Sequence, residues 1–258
     1  MIEEKFMGLT VHFKLSVPAD LTEAEAKQIV GSLHRKAVRL QVEGWVDRVH
    51  PITLDPKILR KYATHWRFMK EPGNPRREHQ IEVWPAMGFM FCVSVGNDCE
   101  PLWLGLCRYP ETVRYDGRNV PTKAGPGWRH AGFSKTQFAS VHGWEHFARC
   151  HCAVVHLLAA CASPHLGVKI SDEGEYWPRR SLKRLRENLD QMNGIVAGAA
   201  GAMRDAFPGA TGENAVQSPI FAHPQFEHLE AAGEAWLGPK LQKLRAILRD
   251  DGGRTTRK

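Results

Sequence analysis

The first fifty residues pass from a strand pattern to a helix pattern and back. Residues 9–17 (LTVHFKLSV) alternate apolar and polar positions and end at Pro18, which predicts a strand. Thr22 and Glu25 then form a capping box, and apolar residues follow at helical spacing until Gly44. Residues 45–52 have the composition of a second strand. The pattern predicts a βαβ unit at the start of the chain.

A helix start signal opens the next segment. Asp55 followed by Pro56 is typical of an N-cap with proline in the first turn. Four residues recur behind it at helical spacing: Ile58, Tyr62, Trp66 and Met69. We therefore expect a short helix that turns these side chains toward the core. Residues 71–77 (EPGNPRR) have the composition of a loop, and residues 81–95 that of the most buried strand.

The second half of the chain is predicted to hold short strands and then long helices. Residues 102–138 suggest two or three strands around a turn at Asp116 and Gly117, residues 143–161 show helical spacing, and residues 166–171 form another short strand. A long helix is expected from about Pro178 to Phe207. Three glycines on one face would let this helix approach a neighbour closely: Gly194, Gly198 and Gly201.

These elements together predict an α+β protein. We expect a mixed sheet with helices mainly on one face, a βαβ opening and long C-terminal helices. Residues 1–207 are predicted to form a single α+β domain. Residues 208–249 are interpreted as a linker and a C-terminal helical arm, and residues 250–258 as a disordered basic tail.

The composition is that of an ordinary globular protein. Its hydrophobic fraction is 43% and its charged fraction 24%. The start of the chain is acidic, and no apolar stretch approaches the about 20 residues that a spanning helix needs. We therefore expect a soluble cytoplasmic protein without membrane binding, whose six cysteines, none in a CxxC pair, are reduced thiols.

A positive net charge of +7 and a pI near 9.2 favour an anionic partner. Residues 57–77 interleave basic and aromatic side chains, and residues 240–258 carry a second basic set. Five residues of the first set are candidates for contacts with nucleic-acid phosphates: Arg60, Lys61, Arg67, Arg76 and Arg77. The alternative is that these charges form a solvated face while the aromatic rings face the core.

Three potential metal ligands, His142, His146 and Cys150, recur every four residues and would share one helical face. A zinc site requires three or four ligands, and the sequence shows no fourth. Capping and core roles explain these residues as well. We predict no metal and identify no cofactor.

The carboxylates of Asp172 and Glu173 follow a predicted strand, a common position for acid–base groups. We hypothesise a polar pocket in which Lys135, His146, Asp172 and Glu173 are catalytic. Its binding residues would come from several segments: Glu100, Arg108, Gln137, His151, Tyr176 and Arg179. In the alternative interpretation, Arg179 and Arg180 pair with the carboxylates and only hold the turn.

Three segments between Gly127 and Arg180 resemble a family of uncharacterised bacterial proteins. They are an F-x-K-T-Q segment at residues 133–139, an H-F-x-R-C-H helix at residues 146–151 and a D-E-G-x-Y-W turn within residues 169–179. The resemblance implies a shared fold and no assigned activity. Ser134 stands where the family pattern has a cysteine, which puts a thiol-based mechanism at that position in doubt.

Three functions remain open from the sequence. The chain binds nucleic acid or another polyanion, or it is an enzyme that acts on a polar or phosphorylated substrate through the Lys/His/Asp/Glu pocket, or it is an interaction subunit for an unknown protein partner. The sequence contains no Walker, GxGxxG, GxSxG or HExxH motif. That absence argues against nucleotide hydrolysis, dinucleotide redox chemistry and the standard serine and zinc hydrolases.

Overall fold

The computed structural model describes residues 9–71, 74–206 and 216–238. The strands are β1 (Thr10–Ser16), β2 (Arg48–Val49), β3 (His65–Glu71), β4 (Asn74–Val83), β5 (Met87–Ser94), β6 (Leu102–Arg108), β7 (Thr112–Tyr115), β8 (Arg118–Pro121), β9 (Trp128–Lys135) and β10 (Gly167–Asp172). The helices are α1 (Glu23–Val42), α2 (Pro56–Ala63), α3 (Trp144–Cys161) and α4 (Leu182–Ala206), with 3-10 turns at Gln137–His142 and Pro219–Ala222. Residues 226–238 are also helical. The predicted basic tail and most of the predicted linker lie outside the described residues.

Six strands form the main sheet in the order β10-β1-β9-β6-β5-β2. The α+β class is confirmed, but every neighbouring pair in this sheet is antiparallel, so the sheet is not mixed. A mixed sheet was expected because the two strands of a βαβ unit usually pair in parallel. β1 and β2 run in the same direction, yet three strands separate them and no parallel pair forms. β2 is also shorter than residues 45–52.

Helices α1 and α3 cover one face of this sheet, as predicted. Val11, Phe13 and Leu15 point from β1 into a core that includes Leu33 of α1 and Phe147 of α3. Burying these side chains, each worth about 1.5–3 kcal/mol, gives this face its stability. α2 packs on the opposite face and leaves part of that face open, which positions the site described below.

The helix predicted through Met69 ends earlier, at Ala63. Thr64 adopts an extended conformation, and its hydroxyl donates a hydrogen bond to the carbonyl of Arg60. The chain then enters β3, which pairs with β4 as a two-stranded ribbon. The expected loop at residues 71–77 is therefore wrong in part, because β4 already begins at Asn74.

The long C-terminal helices are confirmed. α4 begins at Leu182 rather than near Pro178, and it packs closely against the helical residues 226–238. A Cβ atom added at Gly198 would lie 3.0 Å from the backbone of Gly233, so glycine permits this approach. No helix in the described parts of the chain combines the length and the hydropathy needed to cross a bilayer.

Candidate functional site

A large cavity of about 1440 Å³ opens on the sheet face opposite α1 and α3. We call it the cleft. Its floor is the outer face of β1, β9 and β10, and its walls are α2, the β3–β4 ribbon and the start of β6. Its polar and aromatic lining residues are His12, Phe13, Lys14, Lys57, Arg60, Lys61, Tyr62, Thr64, His65, Trp66, Glu82, Trp84, Glu100, Trp103, His130, Phe133, Lys169 and Ser171.

Strand register places two lysines side by side on the floor. Because side chains alternate along a strand, burial of Val11, Phe13 and Leu15 turns His12 and Lys14 outward. Lys14 pairs directly with Lys169 of β10. Like charges opposite each other destabilise an antiparallel pair. An anion bound between the two ammonium groups would remove this repulsion.

One face of α2 adds three cations to the cleft. Asp55 accepts a hydrogen bond from the backbone N–H of Lys57 and caps the helix, while Leu59 and Ala63 are buried against the sheet. Lys57, Arg60 and Lys61 project from the other side and line the cleft. Five lysine or arginine side chains thus face two carboxylates, those of Glu82 and Glu100. The cleft therefore has an excess of positive charge.

Aromatic rings lie exposed among these cations. Trp66 is 46% exposed, Trp84 43% and Phe133 54%, although all three are large apolar side chains. The guanidinium of Arg60 lies 4.1 Å from the centre of the Trp84 ring. Below them, Tyr62 and Trp103 stack with ring centres 4.2 Å apart. The expected burial of Trp66 in the core is wrong, because this residue belongs to β3 and not to α2.

Two histidines of the cleft have shifted pKa values. Burial, together with the positive charges of Arg129 and Lys14, lowers the pKa of His65. Burial also lowers the pKa of His130 to about 4. Nε2 of His130 lies 3.1 Å from the carbonyl oxygen of Trp103, which can only accept, so Nε2 carries the proton. Its Nδ1 is buried without a hydrogen-bond partner among the described residues.

Asp172, predicted to face a pocket, instead belongs to a buried network. Its carboxylate lies 2.9 Å from Nε2 of His151, whose Nδ1 lies 2.8 Å from the hydroxyl of Thr136. The backbone N–H groups of Gly174 and Trp177 also donate to it. Burial raises the pKa of Asp172, but these hydrogen bonds and the imidazole outweigh burial and lower it.

The chain Thr136–His151–Asp172 has the order of a hydroxyl–imidazole–carboxylate triad. However, the side chains of His151 and Asp172 are 0% exposed, and so is Thr136. A nucleophile enclosed in this way cannot meet a substrate. These hydrogen bonds connect β10, α3 and the segment after β9, so the three residues stabilise the fold.

The other predicted pocket residues are dispersed. Glu173 accepts from the backbone N–H of Thr10 and lies 3.6 Å from Nε2 of His12. The ammonium of Lys135 lies 4.9 Å from the ring centre of Phe138. Nε2 of His146 lies 3.2 Å from the carbonyl oxygen of Asn97. The structure does not bring these groups into one cavity with Asp172.

The predicted binding residues also separate. Gln137 is buried, where it accepts from the N–H of Leu9 and donates to Asn193. Tyr176 is buried with its hydroxyl 3.0 Å from Nε2 of His156, and Arg179 is exposed beyond the turn. Arg108 ends β6. Of the ten residues proposed for the pocket, only Glu100 lines the cleft.

The candidate metal ligands make other contacts. His142 lies 2.6 Å from Asp98, and His146 lies 3.7 Å from the thiol of Cys150. That thiol also shares a hydrogen bond with Cys99. Across the parts of the chain that the structure describes, no three histidine, cysteine or acidic residues are grouped to hold a metal. All six cysteines are free thiols.

Two of the five predicted phosphate contacts, Arg60 and Lys61, lie in the cleft. Arg67 does not line the cleft, and one of its guanidinium nitrogens is buried. Arg76 and Arg77 belong to β4, but their side chains lie outside the described residues. Local sequence patterns did not predict four residues of the cleft: His12, Lys14, Phe133 and Lys169. The alternation of β1, β9 and β10 turns these residues outward, but it does not show that a helix and a ribbon enclose them.

Comparisons of the chain with protein families, with curated proteins and with solved structures find no match. The resemblance of residues 127–180 to a bacterial family therefore stays a prediction.

Proposed function

We propose that the chain binds single-stranded nucleic acid in the cleft. The observation that supports this most directly is the combination of five cationic side chains with exposed aromatic rings in one cavity. Cations neutralise backbone phosphates and release counterions, while aromatic rings provide surfaces on which bases stack. A simple anion site would need only the cations.

Size and exposure favour a polymer over a small ligand. Pockets for small molecules have volumes of about 300–1000 Å³, and this cleft exceeds them. Trp66, Trp84 and Phe133 can stack only on bases that are unpaired and splayed out. A duplex hides these base faces, so the rings favour a single strand. A cytoplasmic location is part of the proposal, because six free thiols persist in a reducing compartment.

The test is fluorescence anisotropy with a labelled single-stranded 20-mer and with the duplex of the same sequence. Loss of a stacking ring costs about 1–3 kcal/mol per base, so Trp66→Ala and Phe133→Ala should each weaken binding of the single strand about ten-fold. Trp236→Ala is the matched control, since Trp236 is 65% exposed and lies outside the cleft. Equal affinity for strand and duplex, or equal binding by all three variants, would reject the proposal.

A further inference from the structure

The cleft carries His12 on its floor, beside a pair of lysines, and His65 on its ribbon wall. We propose that the cleft cleaves RNA without a metal ion, with His65 as general base and His12 as general acid. The inference rests on the proposed binding of nucleic acid and adds a substrate class and a reaction to it.

Register and charge locate the place of the reacting phosphate. Lys14 and Lys169 lie directly opposite each other across β1 and β10. His12 is two residues from Lys14 on the same strand face, about 7 Å along the strand. His65 comes from the ribbon and is close enough to Lys14 for that charge to act on its imidazole. A phosphate held by the two lysines therefore meets one imidazole from the floor and one from the wall.

Each histidine has an aromatic neighbour that can hold a base. The rings of His12 and Phe133 have centres 5.9 Å apart, and Trp66 follows His65 directly in β3. Phe133 and Trp66 both line the cleft and are about half exposed. Two consecutive bases stacked on these rings would place the phosphate that joins them between His12 and His65.

The neighbours of His65 and His12 are consistent with a general base and a general acid, respectively. Burial and the charges of Arg129 and Lys14 favour neutral His65, the form that accepts a proton. Nε2 of His12 lies 3.6 Å from the carboxylate of Glu173, which can hold this imidazole in place as it donates a proton.

The reaction balances without a co-reactant. Neutral His65 takes the proton of the ribose 2′-hydroxyl as its oxygen attacks phosphorus, and protonated His12 gives a proton to the departing 5′-oxygen. A bond from phosphorus to the 2′-oxygen forms and the bond to the 5′-oxygen breaks. Lys14 and Lys169 stabilise the negative charge that builds on the phosphate oxygens. The products are a 2′,3′-cyclic phosphate and a 5′-hydroxyl, and DNA cannot react because it lacks the nucleophile.

The experiment incubates the full chain with an end-labelled single-stranded RNA 20-mer in EDTA and follows both cleavage and binding. Cleavage should yield cyclic phosphate ends and should cease when the RNA is replaced by its 2′-deoxy analogue. Because general acid–base groups contribute about 10²–10⁴-fold, His12→Gln and His65→Gln should each slow cleavage at least about 100-fold. Both variants should bind the deoxy 20-mer with affinity close to that of the unmodified chain.

The control His165→Gln changes an exposed histidine outside the cleft and should cleave at the unmodified rate. Binding without cleavage, or cleavage that all three variants retain, would overturn this inference and leave the proposed binding intact. Absence of binding to both RNA and the deoxy analogue would overturn both proposals.

Discussion

At the scale of single residues, the buried side chains of Thr136, His151 and Asp172 are stabilised by hydrogen bonds to one another. The sequence predicts Asp172 and His151 as residues of an open pocket. Local pattern cannot show that other elements pack against the turn that carries Asp172 and bury both side chains. Thr136, His151 and Asp172 are separated along the chain, and only the packing of α3 against β10 brings them together. Their place in the core is a tertiary property.

Replacing Asp172 by Asn should destabilise the protein without affecting binding in the cleft. Removal of one partner from a buried salt bridge costs about 3–5 kcal/mol, and the NH2 group of Asn would replace one of the two carboxylate oxygens and so oppose the N–H of either Gly174 or Trp177. Urea unfolding measures the loss. Glu175→Gln is the control, because Glu175 pairs with Arg184 only at the surface and should cost less than about 1 kcal/mol. Equal losses would contradict the structural role.

His130 should make stability depend on pH. Its pKa in the folded chain is about 4, below the ordinary value of 6.5, so the unfolded chain takes up a proton first as the pH falls. Stability should therefore decrease from about pH 6.5 to about pH 4, by about 3 kcal/mol from this group. His130→Gln keeps a donor for the carbonyl of Trp103 and should remove that part of the pH dependence. Unfolding curves at pH 7 and pH 4.5 test it, and identical pH dependence in both proteins would refute it.

At the scale of elements, local patterns predicted most helices and strands but not all boundaries. The capping box of α1, the alternation of β1 and the spacing of α3 are confirmed, because each signal is complete within its own segment. Residues 58–69 were ambiguous. Tyr62 and Trp66 fit helical spacing, while residues 65–69 also alternate as a strand, and pairing with β4 decides in favour of the strand.

Gly233 lies in the close contact between α4 and the helical residues 226–238, and we expect any side chain at this position to disrupt the packing of the two helices. A Cβ atom there would lie 1.8 Å from the carbonyl oxygen of Gly194, and backbone must move to accept it. Gly233→Ala should therefore lower the melting temperature and increase hydrogen exchange along α4. Gly31→Ala in α1 is the control, because its Cβ would meet only the end of Arg35 at 3.6 Å. That variant should be neutral or more stable, since alanine favours helix by about 1 kcal/mol. Equal melting temperatures would show that the helices are not in close contact.

At the scale of the whole molecule, the sequence predicted the class and the sign of the charge but not where the charge acts. Net charge and pI are sums over the chain and carry no position. Lys14 and Lys169 are far apart in sequence, and the pairing of β1 with β10 makes them neighbours. The cleft is formed by pairing between distant strands and by α2, which packs on the sheet face opposite α1 and α3. Local sequence patterns contain neither kind of information, so they could not predict the cleft.

If nucleic acid binds in the cleft, cations that line the cleft should matter more for binding than exposed cations elsewhere on this basic protein. Lys14→Gln, Arg60→Gln and Lys169→Gln together remove three cations from the cleft. Lys27→Gln, Arg35→Gln and Lys183→Gln remove three exposed cations from α1 and α4 and change the net charge equally. Since log K for a single strand falls with log salt at about 0.7 per phosphate contact, the first triple variant should reduce the slope by about 2 and the second should leave it nearly unchanged. Anisotropy titrations between about 50 and 200 mM salt, over which counterion release changes affinity strongly, provide the slopes. If both triple variants reduce the slope equally, binding follows net charge and the cleft has no special role.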